Sequence, residues 1–137
     1  MEEDLGGVPS VLVLNLPAVP ASAAIARGVL DEVLLAPKDD EARDTAALLL
    51  TELVTNAARH VGGTMRVEVA VTHDTLCVRV CDTSPLLPAA ANLPDWDSES
   101  GRGLFLLEAL SDRWGAQTIP TGKCVWFELH VCDRHAS

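Results

Sequence analysis

The chain has 137 residues, room for one domain with its own core and too few for two. With 48% hydrophobic residues it excludes a disordered chain. A net charge of -10 argues against a nucleic-acid binder, which needs clustered Lys and Arg for phosphate contacts.

No apolar run reaches the ~20 residues that span a bilayer. Met1-Glu2-Glu3-Asp4 is acidic where a secretory leader is basic. The expectation is a cytoplasmic protein without membrane or nucleic-acid contacts. In that compartment Cys77, Cys81, Cys124 and Cys132 are expected as reduced thiols.

Residues 1–10 read as a flexible leader, 11–132 as the domain and 133–137 as a tail. Val11 to Leu16 is an apolar run ended by Pro17, a first strand. Pro20 to Leu35 carries Arg27, Asp31 and Glu32 among Ala, Leu and Val at amphipathic spacing, and Ala36-Pro37 ends that helix. Lys38-Asp39-Asp40-Glu41 puts carboxylates into the first turn of a second helix, where the macrodipole favours them. It runs to about His60 and stops at Gly62-Gly63.

A hairpin follows. Met65, Val67, Val69 and Val71 alternate with Arg66 and Glu68, His73-Asp74 turns the chain, and Leu76, Val78 and Val80 form the returning apolar row. Asp82 continues that row. A carboxylate there needs a buried partner, and an adenine amino group would serve. By strand parity the cysteines line the opposite face, and Cys77 and Cys81 lie ~13 Å apart along one strand, too far for one zinc.

Residues 83–100 form a long loop with Pro85, Pro88 and Pro94, of a length usual for lids. A third helix starts near Gly103, a short strand lies near Gln117-Thr118-Ile119, and Pro120-Thr121-Gly122 turns into a last strand from Val125. There Val125, Phe127, Leu129 and Val131 face inward, and Lys123 reads as a turn lysine. The order β-α-α-β-β-loop-α-β-β predicts an α+β two-layer sandwich with helices on one face of a sheet.

At ~100° per residue, Glu52, Asn56 and Arg59 share one stripe of the second helix, beside the arc of Ala46, Leu49, Leu50, Leu53, Val54 and Ala57. An Asn carbonyl is a hard-oxygen ligand suited to Mg²⁺, and Glu52 one turn away can take a proton from an attacking hydroxyl. Gly101-Arg102-Gly103 before an apolar helix start offers backbone N–H groups to phosphate. Each string alone marks an ordinary amphipathic helix, a strand-ending Asx turn or a helix cap. Their order in one chain carries more.

A helix with Glu52 and Asn56, then Asp82, then Gly101-Arg102-Gly103 resembles the ATP site of the GHKL superfamily, the Bergerat-fold ATPases and kinases. Arg59-His60, Asp112-Arg113-Trp114-Gly115 and Gly122-Lys123-Cys124-Val125-Trp126-Phe127 narrow the resemblance to the ATP-binding anti-sigma-factor serine/threonine kinases of bacteria. The resemblance implies a histidine-kinase-like ATPase fold with a mixed sheet, Mg-ATP as cofactor and a homodimer. It further implies a sigma factor as captive partner and a STAS-domain antagonist as phosphoryl acceptor. Glu52 would be catalytic and Asn56 would hold Mg²⁺. Arg59, Asp82, Ser84, Gly101, Arg102, Gly103 and Leu104 would hold the nucleotide. Asp82-Thr83-Ser84-Pro85 departs from the superfamily's Asp-x-Gly-x-Gly. The rival reading is a non-catalytic module whose nucleotide state sets partner binding.

Overall fold

The computed structural model describes residues 10–33, 40–60, 63–83 and 99–131. Eight elements follow the expected order: β1 (Ser10–Pro17), α1 (Ser22–Val33), α2 (Asp40–His60), β2 (Thr64–Thr72), β3 (Thr75–Asp82), α3 (Glu99–Leu110), β4 (Arg113–Ile119) and β5 (Gly122–His130). The leader and tail, and the proposed lid from Ser84 onward, lie outside the described residues.

The strands form one five-stranded sheet in the order β1-β2-β3-β5-β4. Every pairing is antiparallel, which corrects the expectation of a mixed sheet. Hairpins join β2 to β3 and β4 to β5, while the helical connections return the chain in the opposite direction, so no parallel pair arises. The β2–β3 turn uses His73 in the left-handed region, at φ 57°.

The core lies between the sheet and the helices, built from the alternation seen in the sequence. Met65, Val67 and Val69 of β2 and Leu76, Val78 and Val80 of β3 are buried, and Phe127 of β5 has no exposed surface. From the helices come Ala26 and Leu30 of α1, Leu49, Leu50 and Val54 of α2, and Leu107 of α3. Arg27 Nη1 donates to Thr51 Oγ1 at 3.0 Å and Arg43 Nη1 meets Asp31 Oδ1 at 2.9 Å, tying α1 to α2 across their rim.

Strand β5 begins earlier than expected, at Gly122, and β4 runs the full length from Arg113. Pairing extends both elements: Ile119 sits opposite Gly122, so the hairpin turn is only Pro120-Thr121. Inside the hairpin Gly115 faces Trp126, whose indole lies where a β-carbon at position 115 would stand, 2.7 Å away. Arg113 also lies over that indole, 6.0 Å from the ring centre.

Cys77, Cys81 and Cys124 keep to the sheet face opposite the helices, but they are not all thiols. Cys81 and Cys124 are register partners on β3 and β5 and are joined as a disulfide, with a sulfur–sulfur distance of 2.00 Å. The expectation of four reduced thiols fails here. It came from a compartment argument, whereas the bond follows from a strand neighbourhood that places two outward side chains directly opposite one another.

Cys77 stays free and half-buried on the same face. Burial pushes its thiol above the ordinary value, and the nearby Glu128 carboxylate adds to the shift. A raised pKa leaves less thiolate at a given pH, so alkylation should be slow at neutral pH and accelerate only as pH climbs past the ordinary thiol range. Mass spectrometry of Cys77 after timed iodoacetamide labelling checks this. Labelling as fast as a free thiol at pH 7 would contradict it.

Candidate functional site

One end of the sheet gathers the residues singled out by sequence. Met65, at the start of β2, pairs with Asp82, at the end of β3, and Asp82 pairs with Lys123 at the start of β5. Helix α2 ends at His60, just before Thr64 opens β2, so its last turns lie over the same end. Gly63, with φ 87°, makes the reversal, and its carbonyl accepts the Ala18 amide at 2.8 Å. The chain leaving β3 through Thr83 returns as α3.

Helix α2 sets Glu52 and Asn56 at the margin of its buried face. Leu49, Leu50, Leu53 and Val54 turn into the core, and Glu52, although charged, is 92% shielded (8% exposed) at the edge of that face. Asn56, one turn on, is partly buried, and its side-chain oxygen Oδ1 is buried with no hydrogen-bond partner among the described residues. An orphan acceptor of this kind costs ~1–3 kcal/mol. A structure that tolerates it has a carbonyl aimed at something else, and a hard cation suits both its chemistry and its place beside a carboxylate. The residues present therefore fit a magnesium–phosphate group. The Arg59 and His60 side chains lie outside the described ones.

Asp82 lies on the helix-facing side and is buried, as the strand parity required. Its partner is one that sequence reasoning missed. Lys123 Nζ donates to Asp82 Oδ2, and both side chains are almost wholly enclosed, 2% and 3% exposed. The assignment of Lys123 to a turn is thus corrected. Lys123 stands two residues before Val125, on the inward row of Val125, Phe127 and Leu129, and extending that parity back by one step would have found it.

Gly122 lets the two strand ends meet. A β-carbon there would sit 1.8 Å from the Asp82 carbonyl oxygen, and its φ is +150°. The backbone of β5 thus lies directly against the carbonyl of the residue whose side chain Lys123 holds.

Gly101-Arg102-Gly103 is not a loop ahead of a helix. All three lie inside α3, which begins at Glu99. Glycine costs ~1 kcal/mol in a helix interior but less near an end, so a helix start tolerates both. The first-turn amides around Gly101 remain without intrahelical acceptors, so the capacity to bind an anion moves into the helix itself. The side chains of Arg102 and Leu104 lie outside the described ones, as does all of Ser84.

A cavity of about 350 Å³ opens on the other face of the sheet, beside Asn15, Arg66, Glu68, Arg79 and the disulfide. It reaches the strand end at Met65 and Asp82, while Glu52 and Asn56 are not among its lining residues. No helix among the described residues is long and apolar enough to cross a membrane.

Helix α2 with Glu52 and Asn56 packs on the sheet beside α3, and the carboxylate of Asp82 is buried on that same face. No curated protein matches the chain. Residues 16–129, most of its length, match the family model described as the histidine kinase-like ATPase domain, and the chain belongs to that family.

Proposed function

We propose that this domain binds Mg-ATP at the α2–β3–α3 end of the sheet and is a regulator of the anti-sigma-factor type. In this reading it phosphorylates a Ser or Thr of a STAS-type antagonist and sequesters a sigma factor. The observation that carries the site is the buried, unpartnered Oδ1 of Asn56, one helical turn from Glu52. The narrower assignment is supported by the strings around Asp112 and Gly122 named above.

Each group has a role that its position permits. The Asn56 carbonyl offers a hard oxygen to the cation, and Asp82 offers an acceptor to an exocyclic amine. The first-turn amides of α3 donate to phosphate oxygens. Glu52, held in a shielded position by the packing of α2, orients an acceptor hydroxyl and takes its proton. Bound Mg-ATP supplies the phosphoryl group. Because such transfer rests on positioning and charge neutralisation, these few residues suffice.

Incubation with Mg-ATP and STAS-domain proteins from the same genome, followed by detection of phosphoserine or phosphothreonine, tests the reading. Glu52→Ala should leave ATP affinity unchanged and lower transfer by ~10²–10⁴. Parallel loss of affinity and rate would make Glu52 a structural residue. ATP binding with no phosphorylated partner would favour the non-catalytic regulatory module.

A further inference from the structure

We propose that Lys123 is a second base-reading group of the nucleotide site, its buried ammonium selecting adenine together with the Asp82 carboxylate. This rests on the nucleotide reading given above.

The first reason is energetic. A fully enclosed Lys–Asp pair is poor at stabilising a fold, because the desolvation of both ions offsets their attraction, and an apolar pair of similar volume serves as well. Lys123 is buried and lies on the same inward row as Val125 and Phe127. Both of those neighbouring positions took apolar residues. A charged pair in the third, at the end of the sheet where the candidate site lies, calls for another use.

The second reason is unused capacity. An ammonium carries three N–H donors and no acceptor. Among the described residues the single acceptor that Lys123 reaches is Asp82 Oδ2. An ionised carboxylate accepts up to about four hydrogen bonds, so Lys123 and a ligand amine can share Asp82. The pair therefore sets an acceptor and a donor side by side, shielded from water.

The third reason is complementarity. The edge of adenine offers an amino donor at N6 beside an acceptor at N1. Guanine offers the reverse, an acceptor at O6 beside an N–H donor at N1. Asp82 accepting from N6 and Lys123 donating to N1 match adenine at both positions, and the same arrangement opposes guanine at both. An Asp alone discriminates at one position only. Lys123 has no freedom to drift, because its backbone is fixed opposite Asp82 in the ladder and its neighbour Gly122 is packed against the Asp82 carbonyl.

The test uses the intact chain with Mg²⁺ and two nucleotides, ATP and 1-deaza-ATP, in which N1 is replaced by a C–H group. Calorimetric titration of the unmodified protein should show ATP binding about 10–100-fold more tightly than the deaza analogue, the effect of one charge-assisted hydrogen bond. In Lys123→Met that preference should fall to within about twofold. Lys123→Gln, which keeps an N–H donor on Asp82 without the charge, guards against a variant that fails to fold and should show an intermediate preference. Equal affinities for the two nucleotides in the unmodified protein would overturn the proposal, with or without a foldable variant. A preference that persists in Lys123→Met would do the same, and would place the N1 contact on another group. Failure to bind ATP at all would overturn the nucleotide reading beneath it, a result distinct from equal affinities.

Discussion

Asn56→Ala should remove Mg-ATP binding and phosphoryl transfer while leaving the fold as stable as before or slightly more so. The pairing of those two outcomes is the informative part. Truncating a buried asparagine normally costs stability, because a hydrogen-bond partner is left behind. Here Oδ1 has no partner among the described residues, so nothing is stranded by its removal. Alanine also has the better helix propensity, and α2 is a 21-residue helix whose core face lies elsewhere. Function should move the other way. Even an outer-shell contact to a bound metal is worth 10–100-fold in affinity, and a direct ligand should exceed that. Urea denaturation and nucleotide titration on the same preparation check both halves. A variant with intact Mg-ATP affinity would remove Asn56 from the site, and one markedly destabilised would give its oxygen a structural partner.

Separating Cys81 from Cys124 should cost about 4 kcal/mol of stability. The bond closes a loop of 43 residues, and the chain-entropy relation for that length gives about 4 kcal/mol. For a domain of this size the loss corresponds to a fall in Tm of roughly 10–15 °C. Melting curves with and without a dithiol reductant, and of a Cys81→Ser/Cys124→Ser variant, should agree with each other and lie below the oxidised protein. Coincident curves in all three would mean that the two sulfurs are not bonded in solution. Cys77→Ser serves as the control, since Cys77 takes no part in the bond.

What could be read from the sequence was whatever repeats locally. Two-residue alternation marked β2 and β3 and placed Asp82 on the buried side. Helical spacing put Glu52 and Asn56 at the margin of α2, and the element order gave the two-layer architecture. What escaped was whatever depends on which strands are neighbours. Cys81 faces Cys124, and Asp82 faces Lys123, only because β5 inserts between β3 and β4, and no local pattern carries that fact. The start of β5 was misread for the same reason. A Gly-Lys pair looks like a turn until the partner strand shows that it is already in the ladder. The glycines at 101 and 103 misled in the opposite sense, since their turn-forming composition hid a helix that had already begun at Glu99.

The insertion of β5 also sets an order of events. Cys81 lies at the end of the β2–β3 hairpin, whereas Cys124, 43 residues away in sequence, faces it only once β5 has paired with β3. Pairings between distant segments form late because loop-closure entropy is lost before any contact repays it. Oxidation of this cysteine pair therefore depends on that long-range pairing, and an intact bond is a seal that records that the last strand has found its place.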